Sequence, residues 1–181
     1  MTSWSHLARR TRVPLGFVLA AVYLGLAQPT WVSLASGAVI ASFGLALRAL
    51  ASGHVRKNTE LTTTGPYAYT RNPLYVGSVI IGAGFAIAAR SPWVVVALLL
   101  LFLLIYLPVV RAEEAYLRTR FPEYDDYARR VPRFFFALSA PQSASGGFSR
   151  ELYLQHREYN AVIGAALMLA ALVLKLLLWS R

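Results

Sequence analysis

Between Trp93 and Val110 the chain runs through eighteen residues without a charged side chain. A helix rises about 1.5 Å per residue and a bilayer's hydrocarbon core is about 30 Å thick, so roughly 20 apolar residues cross it. Inside lipid, every backbone N–H and C=O must find its partner within the segment, and a helix does that. The pattern recurs. Apolar runs at about 13–29, 31–50, 74–89, 92–110 and 159–179 alternate with polar segments. The expected fold is all-α: one integral membrane domain over residues 1–181, with about five transmembrane helices. Only 14% of the residues are charged, against roughly 25% in soluble domains. So few charges do not cover a water-facing surface.

The first run follows Arg9, Arg10 and Arg12. A basic stretch, an apolar run and Gly25-Leu26-Ala27 also describe a cleavable signal peptide. A retained span is favoured, because the second run begins after only Gln28-Pro29-Thr30. Gly37, Ala41 and Gly44 on the second span, and Ser78, Gly82 and Ala86 on the third, read as small-residue packing stripes. Between the fourth and fifth spans, Pro122–Val131 has the marks of a short amphipathic helix. Proline opens it, acids fill its first turn and Arg129 and Arg130 its last. Tyr124, Tyr127 and Val131 share one face, which predicts an aromatic side turned inward at the membrane surface. Pro141–Phe148 reads as a flexible polar connector.

The cations divide unevenly. With five spans, 15 of the 18 Lys and Arg residues fall on the side of the N-terminus and the two long polar segments; only Arg90, Lys175 and Arg181 fall on the other. The positive-inside rule then sets the N-terminus and both segments in the cytoplasm, with the C-terminus opposite. Topology explains the net charge of +10 without nucleic acid. There is no cysteine, and His6, His54 and His156 are far apart in sequence, so neither a disulfide nor a metal site is expected.

Two polar stretches carry candidate chemistry. One is GPYAYTRNPLYVG, Gly65–Gly77. Pro73 restricts Asn72, Gly77 permits close approach, and Arg71 offers a fork for a carboxylate or phosphate. Tyr67, Tyr69 and Tyr75 add aromatic faces with hydroxyl tips. The plain alternative is an aromatic-belt loop with a positive-inside arginine. The other stretch is Glu113–Glu114, just past the fourth span. It suits a cationic ligand or ribose hydroxyls, or else a solvated turn in which Glu114 pairs with Arg118 at i,i+4.

Taken together, Arg71-Asn72-Pro73-Leu74-Tyr75-Val76-Gly77, two apolar spans, Glu113-Glu114, then Leu117, Phe121, Tyr124, Tyr127 and Val131-Pro132-Arg133 form a pattern. It resembles the isoprenylcysteine carboxyl methyltransferase and phospholipid methyltransferase superfamily of membrane enzymes. The likeness covers about residues 48–136. It implies a methyltransferase using S-adenosyl-L-methionine on a lipid or small lipophilic acceptor that enters from the bilayer. The implied cofactor contacts are Glu60, Leu61, Thr62, Tyr67, Arg71, Asn72, Pro73, Tyr75, Gly77, Glu113 and Glu114, within segments 59–77 and 111–136. Asn72 stands where the family motif has histidine, and Glu60 where histidine is frequent, so proton transfer is not assigned to either. Arg111 lies near, though out of register with, an arginine that meets the acceptor carboxylate in related enzymes. Arg111 joins Glu113 and Glu114 as the catalytic candidates. Two alternatives are an NADPH-dependent enzyme of sterol-reductase type and a non-catalytic lipid-binding membrane protein.

Overall fold

The computed structural model describes residues 19–56, 59–138 and 147–179. Residues 13–18 of the first apolar run, the basic stretch before it and most of the Pro141–Phe148 connector lie outside the described residues. Helices account for the architecture, and no strand forms among the described residues. In chain order they are α1 (residues 19–26), α2 (Trp31–Ser52), a 3₁₀ turn (Gly65–Ala68), α3 (Pro73–Ala89), α4 (Pro92–Leu101), a π-helical turn (Phe102–Tyr106), α5 (Leu107–Arg120), α6 (Tyr124–Arg130), α7 (Arg150–Gln155) and α8 (Tyr159–Trp179). From α4 to α5 the helix is continuous. Trp31–Ser52, Pro92–Arg120 and Tyr159–Leu178 are long and apolar enough to cross a membrane, and α3 is a shorter apolar helix. All four occur where the apolar runs predict them.

Local chemistry fixes the boundaries. Thr30 caps α2 reciprocally: its side chain accepts from the Ser33 N–H at 3.2 Å, and Ser33 Oγ accepts from the Thr30 N–H at 2.9 Å. Such a box satisfies two of the orphan N–H groups at a helix start. Pro73 and Pro92 open α3 and α4, where a missing N–H costs nothing. Between them Arg90 turns left-handed, with φ of 50°.

The antiparallel pair α2 and α3 forms the centre. A Cβ on Gly37 would lie 2.4 Å from the Gly84 carbonyl oxygen, and one on Gly84 2.5 Å from the Gly37 oxygen. One contact along, a Cβ on Gly44 would meet the Gly77 oxygen at 2.6 Å. The expected face of α2, Gly37, Ala41 and Gly44, is thus the buried one. The expected stripe on α3 is displaced. Gly77, Ile81, Gly84 and Ala88 meet the α2 backbone or its small side chains, Ser78 meets α2 only through the long Arg48 side chain, and Gly82 faces Leu98 of α4. Small residues occur all around α3, so their spacing fixes a period but not a face.

The bundle has two unlike ends. At one, Gln28 N–H donates to the Ala89 carbonyl at 2.7 Å, and Lys175 of α8 donates to the carbonyls of Leu24 and Ala27 at the close of α1. Ala27, Leu34, Ala88, Ala89, Val94 and Leu172 form an apolar core there. At the other end the polar segments gather. Tyr124, Tyr127 and Val131 of the amphipathic stretch are buried with Phe121 against Leu61 and Leu117, as their shared face predicts. The end of the connector also docks here. Ser149 N–H donates to the Gly53 carbonyl at 2.8 Å, and the Phe148 ring packs over Gly53 and against His54.

Candidate functional site

The two polar stretches meet. Residues 69–71 run beside residues 132–137: Arg71 N–H donates to the Pro132 carbonyl at 2.9 Å, Ala137 N–H to the Tyr69 carbonyl at 2.8 Å, and Thr70 Oγ1 to the Arg133 carbonyl at 3.2 Å. Tyr127 fastens α6 to the 3₁₀ turn by donating its hydroxyl to the Tyr67 carbonyl at 2.7 Å. Pro132 breaks α6 just before this seam, so the chain returns extended instead of continuing away.

Glu114 is the hub, only 2% exposed. Arg133 grips it as a fork, with Nη2 2.7 Å from Oε2 and Nε 3.0 Å from the same oxygen. Asn72 Nδ2 donates to Oε1 at 3.1 Å, and Arg71 Nη1 lies 3.5 Å from Oε1. A buried carboxylate is retained only with charge partners and filled lone pairs, and here both are supplied. The Glu114 hydrogen bonds raise the Arg133 guanidinium further above its ordinary value, against a smaller opposing effect of burial. Burial likewise raises the Tyr127 phenol, helped by the neighbouring Tyr124. Asn72 also donates to the Arg133 carbonyl at 3.2 Å. In the place of the motif histidine, this amide ties both stretches together without titrating.

One helical step away the character changes. Glu113 is exposed and accepts from the Tyr75 hydroxyl at 2.9 Å. Tyr75 stacks edge-on with Tyr106, 5.8 Å between ring centroids; Tyr106 stacks on Phe102, and Phe102 meets Phe134. The π-helical turn puts Phe102 and Tyr106 at its two ends. Such turns are frequent at functional sites. The result is an aromatic wall leading to an exposed carboxylate.

Of the residues expected at the site, Tyr67, Arg71, Asn72, Pro73, Tyr75, Glu113 and Glu114 come together at this end. Gly77 is close by, but its bare Cα serves the contact with α2 and Arg48. Leu61 packs beneath α6. Glu60 is exposed and pairs with Arg56 at 3.6 Å, and Thr62 Oγ1 accepts from the Arg56 N–H at 3.2 Å. Arg111 is exposed on α5. Arg133 was visible in the sequence only as part of the pattern. Its signal is a cation directly after the proline that ends α6. Arg48 gave no signal: its partners Leu74, Ser78 and Glu158 lie far along the chain. A cavity of about 480 Å³ lies at the opposite end, lined by Gln28, Thr30, Arg90 and Lys175 among others, away from this cluster.

The chain is 41% identical over 156 residues to the nickel-cobalt-cadmium resistance protein NccN of Alcaligenes xylosoxydans xylosoxydans, covering 78% of this chain and 72% of the relative. It is 38% identical over 135 residues to the cobalt-zinc-cadmium resistance protein CzcN of Cupriavidus metallidurans, covering 71% of this chain and 62% of that protein. No solved structure matches. Residues 15–124 match the model of the phospholipid methyltransferase family, which contains the Arg71–Gly77 motif, Glu113 and Glu114. The superfamily resemblance carried by those motifs is borne out, and the chain belongs to the phospholipid methyltransferase family.

Proposed function

We propose that this chain transfers a methyl group from S-adenosylmethionine to a lipophilic acceptor at the membrane surface. One observation supports this above the others. Two polar segments, separated in sequence by the apolar hairpin α3–α4, close on each other around Glu114 and leave Glu113 and an aromatic wall open beside them.

The side chains present suit this cofactor. Arg71 Nε is buried and has no hydrogen-bond partner among the described residues, so it is a donor that suits a carboxylate or hydroxyl oxygen. Glu113 suits an ammonium group or ribose hydroxyls, and the faces of Tyr75, Tyr106, Phe102 and Phe134 suit an aromatic base. When bound, S-adenosylmethionine supplies an electrophilic sulfonium methyl. This chain's residues would then hold donor and acceptor in line, which is the main lever available for such a displacement. Glu114, engaged by Arg133, Arg71 and Asn72, holds the frame. Glu113 is the carboxylate placed to take a proton from an amine or thiol acceptor. A carboxylate acceptor needs no base.

The names of NccN and CzcN refer to metal resistance. Among the described residues, no three His, Cys, Asp or Glu side chains group so as to hold a metal ion.

The test is thermal stability of the purified protein. S-adenosylhomocysteine at about 100 times its Kd stabilises the native state by about 2.7 kcal/mol, so the Tm rises. A Tm unmoved by S-adenosylhomocysteine but raised by NADPH would sink the proposal in favour of a reductase.

A further inference from the structure

Arg133 and Phe134 are chain neighbours that reach opposite ways along one helix. Arg133 grips Glu114, while the Phe134 ring packs on Phe102, 5.6 Å between centroids. Phe102 and Glu114 both belong to the continuous helix Pro92–Arg120. They are twelve positions apart, roughly 18 Å at 1.5 Å per residue. The backbone that carries both side chains therefore lies between those two levels. That is near the last apolar turn before Arg111, the first charged residue of this helix. The guanidinium extends to the polar side and the phenyl ring towards the apolar stretch, as when an arginine snorkels.

The segment that follows is apolar and uncovered. Phe135 is 81% exposed, and Phe136 and Leu138 are exposed as well. No charged residue occurs from Phe134 to Phe148. Exposed apolar patches mark contacts with protein or membrane. Irregular backbone is tolerated at membrane depth only where protein meets its polar groups, and much of this backbone is met. The Pro132 carbonyl accepts from Arg71 N–H at 2.9 Å, the Arg133 carbonyl from Thr70 Oγ1 and Asn72 Nδ2 at 3.2 Å each, and Ala137 N–H donates to the Tyr69 carbonyl at 2.8 Å. A second copy of the chain could cover such a patch, but the seat of Phe134 on Phe102 sets it beside acyl chains.

The geometry points to Phe134–Leu138 as a wedge set into the lipid leaflet at the site end, at the boundary of headgroups and acyl chains. Its partner is the bilayer itself. Phe135, Phe136 and Leu138 lie among the upper acyl chains while Arg133 stays on the polar side with Glu114. Apolar side chains of interfacial segments reach about 5–10 Å into that boundary. The wedge stands whatever reaction the site performs, and it joins the leaflet to the Glu114 cluster through the Arg133–Phe134 peptide.

The experiment uses the full chain, which has no cysteine, in phosphatidylcholine vesicles. Phe135→Cys and Leu138→Cys each carry an environment-sensitive fluorophore. Leu104→Cys, exposed within the apolar helix, and Thr59→Cys, exposed in the polar loop, are the references. Lipids brominated on the upper acyl chain quench from the bilayer, and iodide quenches from water. Both wedge positions are expected to emit to the blue of Thr59→Cys, to lose emission in bromolipid as Leu104→Cys does, and to resist iodide. Thr59→Cys loses emission to iodide alone. Quenching of the wedge positions by iodide without bromolipid puts the segment in water and overturns the proposal. Protection from both quenchers, which a second copy seated on the patch would give, overturns it too. The Tm of each labelled variant, close to that of the wild type, shows that the fold is kept. Where the two positions differ, Phe135→Cys decides; if it does not fold, Leu138→Cys gives the same reading.

Discussion

Glu113 and Glu114 are neighbours with opposite fates. Glu114 is 2% exposed and gripped by Arg133, Asn72 and Arg71, whereas Glu113 is exposed and touches Tyr75. Removing the charge of Glu114 leaves Arg71 and Arg133 facing an amide. Breaking a buried pair from one side costs about 3–5 kcal/mol. Glu114→Gln therefore lowers the Tm strongly, as does Arg133→Gln. Because both remove the same contact, the double variant loses clearly less than the sum. Additive losses in that cycle would contradict the hub. Glu113→Gln leaves the Tm of the ligand-free protein near the wild type and blunts the rise with S-adenosylhomocysteine; a full rise would remove Glu113 from the cofactor site. The sequence made the Glu113–Glu114 pair visible but did not divide the labour between them. That division depends on Arg133, which reaches Glu114 only because Pro132 ends α6 and the chain doubles back along residues 69–71. A turn of that kind is set by tertiary contacts such as the hydrogen bond from Arg71 N–H to the Pro132 carbonyl, and no local pattern encodes it.

Helices were the most legible level, since an uncharged run as long as Trp93–Val110 has few alternatives in lipid. Which face of a helix meets which neighbour was legible only for α2. On α3 the expected stripe of Ser78, Gly82 and Ala86 and the observed face of Gly77, Gly84 and Ala88 around Ile81 are both rich in small residues, and the backbone contact at Gly37 and Gly84 decides between them. A matched pair of substitutions tests this. Gly84→Val pushes a Cβ to 2.5 Å from the Gly37 oxygen, and backbone cannot yield as a side-chain tip can. Overpacking costs about 1–3 kcal/mol where side chains can shift, and this substitution should exceed that. The expected result is loss of folded protein after detergent extraction. Gly82→Ala, whose Cβ would sit at an ordinary 3.7 Å from Leu98, is tolerated and even mildly favourable, because alanine is the better helix former. If Gly82→Ala disrupts the protein and Gly84→Val does not, the α2–α3 contact is assigned to the wrong face. The stake is functional: Pro73 and Asn72 stand at the start of α3, so a shift of α3 along α2 moves Asn72 away from Glu114. The π-helical turn at Phe102–Tyr106 lay beyond sequence reading, because its residues are as apolar as those on either side.

The molecule as a whole is polarised along its axis. The Glu114 cluster, Arg48 with Glu158, and the docked Phe148 lie at one end. Gln28, Arg90 and Lys175 lie at the other, around the turn between α1 and α2. From the division of cations in the sequence and the positive-inside rule we propose that the site end is cytoplasmic. Orientation is testable directly, because the chain has no cysteine of its own. Thr59 and Glu123 are exposed at the site end and Gln28 is exposed at the other. With single variants Thr59→Cys, Glu123→Cys and Gln28→Cys, a membrane-impermeant maleimide applied to intact cells should label Gln28→Cys alone. The other two should react only once the membrane is opened. In the proposed reaction, that result puts a lipid acceptor and a water-soluble methyl donor together at the cytoplasmic face. Labelling of Thr59→Cys and Gln28→Cys from the same side would break the topology. The reverse pattern would put the site outside the cell, where a cytoplasmic methyl donor does not reach it, and the proposed reaction would fall with it.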